Sequence, residues 1–317
     1  MKIVSSAKIS EKHQISLKEQ FPKGDFYFFA NIEEAKAELT DTEILITYGE
    51  DLNDEILQTM NALKWIHVVS AGVNKLPFEL LHSRKVIVTN SKGIHRIPMS
   101  EYTMAVILQL ARKTNQFFEK QQEGTWDRTI RVAEIFGSTL GIIGLGAIGQ
   151  AIAEKGKSFG MRIIGTNTDG RPVPFVDQVY PSSQLKKVLA ESDYVVVIVP
   201  LTDKTYHLIG KEELIAMKKS AYLINIARGD VIDEQALLEA LKEREIGGAV
   251  LDVFSQEPLP SDHPFWQFDN VIITPHVSGR SPKYMERALE IFKTNLYMYQ
   301  NKEFSQMKNL VDLKKGY

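Results

Sequence analysis

Three side chains, Arg228, Glu257 and His276, have the types and placement needed for carbonyl chemistry. Each follows a short apolar run of strand length, so a parallel sheet would gather them at its carboxyl edge, where such folds bind ligands. The planar fork of an arginine can bind a carboxylate and polarise a carbonyl. A histidine serves as acid and base near neutral pH, and a carboxylate on its second ring nitrogen fixes the tautomer. This set suits the reduction of a 2-keto acid.

We expect no metal in this chemistry, because a carbonyl polarised by arginine needs none. The sequence has no cysteine, which excludes disulfides and thiolate ligands. The remaining histidines show no close ligand spacing with carboxylates; they are His13, His67, His82, His95, His207 and His263.

A glycine-rich segment, Gly144-Leu145-Gly146-Ala147-Ile148-Gly149, follows an apolar strand and opens a helix. In this pattern Gly144 makes the tight turn, Gly146 lets the backbone approach a pyrophosphate, and Gly149 lets the helix lie close to the strand. Backbone N–H groups at the helix start, at Ala147 and Ile148, would hold the phosphates. The motif alone also fits a turn without ligand or the related loop of methyltransferases. The strand-end residues favour a dehydrogenase.

The cofactor preference depends on the end of the next strand, where Asn167 stands in place of the acidic residue that usually holds the adenine ribose. An uncharged amide does not repel a 2′-phosphate, and Thr168 and Arg171 add donors nearby. We therefore expect NADP(H) to be favoured. Asp169 keeps NAD(H) possible, because a small shift of the turn would bring its carboxylate to the ribose.

The elements that must position these residues alternate between strand-length apolar runs and helical segments, which predicts parallel sheets covered on both faces. One long helix is expected from about Pro98 to Glu123, and Asn53 or Asp54 would cap an earlier one. The predicted strands of the first part are Lys2–Val4, Phe26–Phe29, Ile44–Thr47, Trp65–Val69 and Val86–Val88. Those of the second part are Leu140–Ile143, Arg162–Gly165, Tyr194–Val199, Tyr222–Ile226, Ala249–Val253 and Val271–Thr274.

The composition is that of an ordinary globular chain long enough for two domains, with 317 residues, 44% hydrophobic and 25% charged. A net charge of −2 gives no electrostatic reason to expect nucleic acid or a membrane surface as a partner. The amino terminus shows no signal-peptide pattern, and the apolar runs are too short to span a bilayer. We expect a cytoplasmic enzyme.

Three further segments resemble the signature segments of the D-isomer-specific 2-hydroxyacid dehydrogenases, a family that includes glyoxylate/hydroxypyruvate reductases. They run from Asn225 to Asp233, from Leu251 to Leu259 and from Thr274 to Gly279. The resemblance extends from about Leu45 to Asn295. It implies that Arg228 binds the substrate carboxylate and carbonyl, and that His276, paired with Glu257, is the acid and base.

The resemblance also implies a fold, further site residues and an assembly. A Rossmann dinucleotide-binding domain, residues 100–282, would be inserted into a flavodoxin-like substrate domain, residues 1–99 and 283–317. The active site would lie in the cleft between them, and the inserted domain would carry the contacts of a homodimer. Ala71 and Gly72 would bind the substrate carboxylate, with Tyr48 lining the pocket. Further cofactor contacts are implied near the adenosine (Pro200, Thr205) and near the nicotinamide (Ala227, Asp252, Gly279).

Two alternatives stay open from the sequence. A non-enzymatic dinucleotide-sensing regulator shares this fold and a similar set of three residues, although we expect no appended interaction segment here. A formate or phosphite dehydrogenase of the same fold is the second, but a formate enzyme would be expected to carry Gln at position 257. The identity of the 2-keto acid is not predicted.

Overall fold

The computed structural model describes residues 1–314, which form two compact units. The first unit comprises Met1–Ile94 and the described residues from Ser281 onward, and the second comprises His95–Arg280. The chain thus leaves the first unit once and returns to it. The domains expected from the sequence, with boundaries after residues 99 and 282, stay a prediction, as do their functional roles, and residues 315–317 of the expected substrate domain lie outside the described residues.

Helices and strands alternate along most of the chain. The strands are β1 (Lys2–Ser5), β2 (Asp25–Phe28), β3 (Ile44–Thr47), β4 (Trp65–Val68), β5 (Ile87–Asn90), β6 (Thr139–Ile143), β7 (Arg162–Asn167), β8 (Gln178–Pro181), β9 (Tyr194–Val197), β10 (Tyr222–Asn225), β11 (Gly248–Leu251) and β12 (Val271–Ile273). The α-helices are α1 (Glu11–Gln20), α2 (Ile32–Ala35), α3 (Asp54–Thr59), α4 (Phe78–Ser83), α5 (Arg96–Arg112), α6 (Thr114–Gln122), α7 (Ala147–Ser158), α8 (Leu185–Glu191), α9 (Lys211–Ile215), α10 (Glu234–Lys242) and α11 (Tyr284–Gln300).

The first unit is built on a parallel sheet in the order β2-β1-β3-β4-β5. Both faces are covered because side chains alternate along each strand. In β3, for example, Ile44 and Ile46 pack towards Phe292 of α11, whereas Leu45 packs on the other face with Leu57 of α3. This strand order is the flavodoxin-like one.

The second unit has a parallel sheet in the order β12-β11-β10-β9-β6-β7-β8. The order reverses between β6 and β9, so the loops that follow these two strands flank the crevice where doubly wound sheets bind ligands. One face packs on α5 and α7 through residues such as Ile142, and the other packs on α8 and α10 through residues such as Val197. The α/β class expected from the sequence, with two parallel sheets each covered by helices on both faces, is confirmed.

Two local predictions were wrong. The long helix expected from Pro98 to Glu123 is two helices, α5 and α6, because Lys113 adopts a left-handed conformation with φ of 55° and ends the first helix. The second sheet has an additional edge strand, β8, that the sequence did not reveal. The other strands lie within about two residues of their predicted limits, and Asn53 caps α3 by accepting from Ile56 N–H.

Within residues 1–314, no helix is both long enough and apolar enough to cross a membrane. The same residues contain no group of three or more histidine, cysteine, aspartate or glutamate side chains arranged to hold a metal ion.

Candidate active site

Three neighbouring parallel strands of the second sheet place Arg228, Glu257 and His276 along one edge. Arg228 follows β10, Glu257 lies on the loop after β11, and His276 follows β12. The three strands are adjacent and run in the same direction. Their carboxyl ends therefore lie side by side, as the sequence analysis expected from their order.

Glu257 and His276 form a hydrogen-bonded pair, with 2.8 Å between His276 Nδ1 and Glu257 Oε2. The His276 side chain is 50% exposed and that of Glu257 is 37% exposed, so the pair is open to solvent. Because the carboxylate can only accept, Nδ1 carries a proton, and Nε2 is the ring nitrogen left to exchange a proton with a ligand.

The charge of Glu257 is stabilised by its surroundings. Partial burial raises the pKa of its carboxyl group. Hydrogen bonds from His276 and from Phe254 N–H, together with the charge of Arg228, lower this pKa by more than burial raises it. The net effect is a lowered pKa, so Glu257 is a carboxylate throughout the neutral range.

The backbone around His276 is held in an unusual conformation. His276 has φ of 51°, in the left-handed region that a residue with a side chain rarely adopts. Its N–H donates to Asp252 C=O over 2.8 Å. The buried Asp252 carboxyl group accepts from Val277 N–H and Ser278 N–H, each at 2.9 Å. In the structure, Asp252 thus holds the loop that carries His276, and its expected contact with the nicotinamide stays a prediction.

Arg228 is exposed at the start of a short 3₁₀ turn, Gly229–Val231. Its Nη1 donates to Ala227 C=O over 2.6 Å, which restrains the guanidinium beside its own backbone. Asn225, at the end of β10, accepts from Ala227 N–H and donates to Arg228 C=O, at 3.1 and 3.0 Å. These hydrogen bonds fix the backbone of the turn that carries Arg228 to the end of β10.

The glycine-rich loop after β6 has the geometry expected from its sequence. Gly144 has φ of 112°, and a Cβ there would lie 2.5 Å from Ile198 O. A Cβ on Gly149 would lie 2.1 Å from Gly144 O, so the helix could not approach the strand so closely with any larger residue. A Cβ on Gly146 would meet nothing within 4 Å. The protein thus leaves open space above Gly146 at the first turn of α7, beside the free helix N–H groups of Ala147 and Ile148.

Asn167, at the end of β7, is engaged by its own loop. Its Oδ1 accepts from Gly170 N–H at 2.6 Å, and its Nδ2 donates to Arg171 C=O at 2.8 Å. The amide that the sequence analysis assigned to the ribose therefore organises the turn, and a contact with the cofactor stays a prediction. Thr168 is exposed, and Asp169 and Arg171 face solvent with their charged groups 3.9 Å apart.

The loop after β9 contains Pro200 and Thr205, both expected near the adenosine. The Thr205 hydroxyl donates to Pro200 C=O at 2.6 Å and accepts from Thr202 N–H at 2.8 Å. Thr205 thus closes the loop on itself. Pro200 is exposed. The cofactor contacts expected for both residues stay predictions.

The residues expected to bind substrate in the first unit lie at the carboxyl ends of β3 and β4. Tyr48 is 42% exposed, and partial burial raises the pKa of its hydroxyl. Ser70 donates to Gly72 C=O, and Asn90 donates to Ala71 C=O, at 2.9 and 2.8 Å. These two hydrogen bonds fix the backbone of the loop. Gly72 is exposed.

Two residues near this edge of the second unit were missed by the sequence analysis. The His95 ring lies against Gly279, where an added Cβ would come within 3.0 Å of Cδ2. Burial, with a contribution from the charge of Arg228, lowers the pKa of His95. Tyr102 contacts Thr274, the residue that directly follows β12. His95 directly precedes α5 and Tyr102 lies seven residues later, a spacing of about two helical turns that could have drawn attention to both residues.

Comparison with known proteins identifies the family. Residues 104–278, more than half of the chain, match the family model described as D-isomer specific 2-hydroxyacid dehydrogenase, NAD binding domain. A glyoxylate reductase of Thermofilum pendens is 37% identical over 273 residues, covering 83% of this chain and 80% of the relative. A D-3-phosphoglycerate dehydrogenase of Methanocaldococcus jannaschii is also 37% identical, but this chain spans only about half, 49%, of that relative's length.

Solved structures share the fold over nearly the whole chain. A D-isomer specific 2-hydroxyacid dehydrogenase family protein of Aeromonas salmonicida superposes with a TM-score of 0.85 at 32% identity, covering 98% of this chain and 99% of that one. A family protein of Xanthobacter autotrophicus, in complex with NADPH, and a D-lactate dehydrogenase of Aquifex aeolicus, with NAD, are each 27% identical, with TM-scores of 0.79 and 0.76. They cover 99% and 98% of this chain, respectively, and 99% of each neighbour.

Proposed function

This chain belongs to the D-isomer specific 2-hydroxyacid dehydrogenase family, and from that premise we propose that it reduces a small 2-keto acid to a D-2-hydroxy acid, or catalyses the reverse. The observation that carries the proposal is the His276–Glu257 pair, 2.8 Å apart, at the same sheet edge as Arg228. A reaction of this kind needs an anion-binding cation and a proton donor at one place, and these side chains supply both.

His276 is proposed as the acid and base. In the direction of reduction, its Nε2 donates a proton to the carbonyl oxygen as the carbonyl carbon is reduced, and the product is the hydroxy acid. Glu257 accepts from Nδ1, which holds the ring in one orientation and stabilises the protonated form before the transfer. In the reverse direction, Nε2 accepts the hydroxyl proton, and the same carboxylate stabilises the imidazolium that results.

Arg228 is proposed to bind the substrate carboxylate and to polarise the carbonyl. A guanidinium donates two parallel hydrogen bonds and stays charged at every working pH, so it favours the negative charge that develops on the carbonyl oxygen. The bond from Nη1 to Ala227 C=O leaves the remaining N–H groups of Arg228 for a ligand. Backbone N–H groups at Ala71 and Gly72 are proposed to bind the carboxylate as well, with Tyr48 lining the substrate pocket.

The glycine loop fits a nicotinamide dinucleotide, because the space above Gly146 would be filled by a Cβ and the first turn of α7 supplies N–H donors. When bound, the dinucleotide supplies or accepts the hydride. Gly144, Gly146, Ala147, Ile148 and Gly149 would hold its pyrophosphate. The remaining contacts that we propose are those near the adenosine (Asn167, Thr168, Arg171, Pro200, Thr205) and near the nicotinamide (Ala227, Asp252, Gly279).

NADP(H) is the proposed preference between the two dinucleotides, with NAD(H) also accepted. The support is the uncharged Asn167 at the end of β7 and the exposed guanidinium of Arg171, which is 78% exposed. An exposed guanidinium on this loop can bind a 2′-phosphate. The preference is moderate because Asp169 is also exposed and lies beside Arg171.

A homodimer is the proposed assembly, formed through the segment from α6 to the start of β6. This segment carries a run of exposed large apolar side chains that a single chain does not cover. Trp126 is 91% exposed and Phe136 is 77% exposed, and Phe117, Phe118 and Val132 are also exposed. A second copy is the proposed occupant, because the same patch on two copies can meet in a two-fold interface that buries it.

The proposed reaction is tested by following absorbance at 340 nm with glyoxylate, hydroxypyruvate, pyruvate and bulkier 2-keto acids, each with NADPH and with NADH. We expect turnover with at least one small 2-keto acid, a D-configured product, and a higher kcat/KM for NADPH. Tight dinucleotide binding without turnover of any 2-keto acid would contradict the enzymatic function and favour the sensing regulator.

A further inference from the structure

A continuous chain of hydrogen bonds joins α5 to the loop that carries His276. The Tyr102 hydroxyl lies 2.7 Å from Thr274 Oγ1. Thr274 Oγ1 in turn donates to Asp252 Oδ1 over 2.5 Å. Asp252 then accepts from Val277 N–H and Ser278 N–H, the two residues that follow His276. Three side chains thus connect α5 to the backbone beside the proposed acid.

The direction of this chain follows from its donors. A threonine hydroxyl has one proton, and here Thr274 gives it to Asp252. Tyr102 must therefore be the donor in its contact with Thr274. Burial raises the pKa of Tyr102 to about 12, so this hydroxyl keeps its proton at every pH at which the enzyme would work.

The conformation of His276 needs such support. A residue with a side chain at φ of 51° is in a sparsely populated region, and this conformation persists only where surrounding contacts hold it. Asp252 supplies those contacts, because its carbonyl accepts from His276 N–H and its carboxyl group accepts from the next two N–H groups. Thr274 also donates to that carboxyl group, and Tyr102 in turn donates to Thr274.

The helix at the far end of the chain of bonds is well anchored. Residues on α5 such as Met104 and Ile107 are buried in the same apolar cluster as Ile142 of β6. The helix also meets the His276 loop at a second point, where the His95 ring lies against Gly279. A buried helix that contacts both ends of a loop can fix the position of that loop.

We propose that Tyr102 is a positioning residue of the reaction, which acts through Thr274 and Asp252 to hold His276 in its left-handed conformation. The proposal rests on the function proposed above. Tyr102 itself touches no reacting atom. Its effect should therefore appear in kcat and in the order of the His276 loop, and not in the affinity for the dinucleotide.

The test compares Tyr102→Phe with the wild type and with Tyr222→Phe as a matched control. Tyr222 begins β10, at the opposite end of its strand from Arg228, and its hydroxyl accepts from Lys113 Nζ at 3.0 Å. Each protein is assayed for kcat and for KM with the best 2-keto acid, and for the dinucleotide Kd. Hydrogen–deuterium exchange is measured at the Val277 and Ser278 amides without substrate, which gives a readout that needs no activity.

For Tyr102→Phe we expect kcat to fall about 10-fold and the two amides to exchange about 10-fold faster, with little change in dinucleotide Kd. Tyr222→Phe should match the wild type in both. Adding Tyr102→Phe to Thr274→Val should cause little further loss of kcat, because Tyr102 acts only through the Thr274 hydroxyl. Unchanged amide exchange in Tyr102→Phe, or faster exchange with normal kcat, would overturn the proposal. A wild type without turnover contradicts the proposed function itself, and the exchange rates then still decide whether Tyr102 holds the loop.

Discussion

His276 Nδ1 lies 2.8 Å from Glu257 Oε2, and the two residues come from neighbouring loops at the ends of β12 and β11. His276 has a left-handed backbone conformation, and the pKa of the Glu257 carboxyl group is lowered. This relationship makes the sheet edge suited to proton transfer, because the carboxylate fixes the ring through Nδ1 and leaves Nε2 to exchange a proton.

Replacing Glu257 with Gln should change the pH dependence of the reaction. The lowered pKa of Glu257 keeps a negative charge beside the imidazole through the neutral range. Without that charge, the protonated ring is less favoured. As the pH rises, the variant should therefore lose its reductase activity at a lower pH than the wild type. We expect kcat/KM for reduction to fall about 10-fold or more at pH 7.5 and its alkaline limb to move to lower pH. A pH–rate profile that superposes on the wild type would remove Glu257 from this role.

Two glycines of the phosphate loop should respond differently to alanine. In Gly149→Ala the new Cβ would lie 2.1 Å from a backbone oxygen, so the free energy of unfolding should fall by roughly 2 kcal/mol or more. In Gly146→Ala the Cβ meets no protein atom within 4 Å, so stability should be retained. Its dinucleotide Kd should rise about 10-fold or more, because the Cβ occupies the proposed pyrophosphate space. Urea unfolding and fluorescence titration of NADPH measure the two effects, and unchanged NADPH affinity in Gly146→Ala would exclude this space as the site.

His67 should make the first unit sensitive to acid. Full burial lowers the pKa of this histidine to about 3, and its Nδ1 lies 2.9 Å from Thr89 Oγ1. The unfolded chain takes up a proton near pH 6.5 whereas the folded unit does not, so the stabilisation is complete above that pH and is lost as the pH falls towards 3. We expect the free energy of unfolding to drop by about 2–3 kcal/mol between pH 6.5 and 4.5 from this residue. Urea unfolding across this range should show a flatter dependence for His67→Gln, and an equal slope in both proteins would contradict the assignment.

The proposed dimer should separate when charge is placed in its apolar surface. Light scattering of the wild type should give twice the 35.9 kDa mass of one chain. Trp126→Glu combined with Phe118→Glu should give the single-chain mass, because buried unpaired carboxylates oppose association. Phe175→Glu is the matched control, since Phe175 is 51% exposed but lies outside the segment. A wild type with the mass of one chain, or a dimer that tolerates both glutamates, would exclude this interface.

The sequence predicted the features that depend on local sterics and strand order. The glycine loop was identifiable because only glycine fits at Gly144 and Gly149, and the three candidate site residues were identifiable because parallel strands share one carboxyl edge. Lys113 ends α5 through a left-handed conformation that its residue type does not favour, so the helix break was missed.

Contacts between segments that are distant along the chain could not be predicted from the sequence either. The Tyr102–Thr274 bond joins residues 172 positions apart, and no local pattern marks it. The sequence shows that Asn167 is uncharged. It does not show that the Asn167 amide bonds to the backbone of Gly170 and Arg171, because those bonds depend on the path of the loop. The edge strand β8 has only four residues, one of them proline, and lacks the apolar run that marks the buried strands.

The most direct test of the account is a single-turnover measurement on His276→Asn. Asparagine tolerates the left-handed conformation at this position, so the variant should fold, and it cannot donate the proton that reduction needs. Protein loaded with NADPH is mixed with the best 2-keto acid, and absorbance at 340 nm is followed, with NADPH binding checked by fluorescence. We expect normal NADPH binding and oxidation at least about 1,000-fold slower than in the wild type. Oxidation at a near-normal rate would contradict the assignment of His276 as the acid and base.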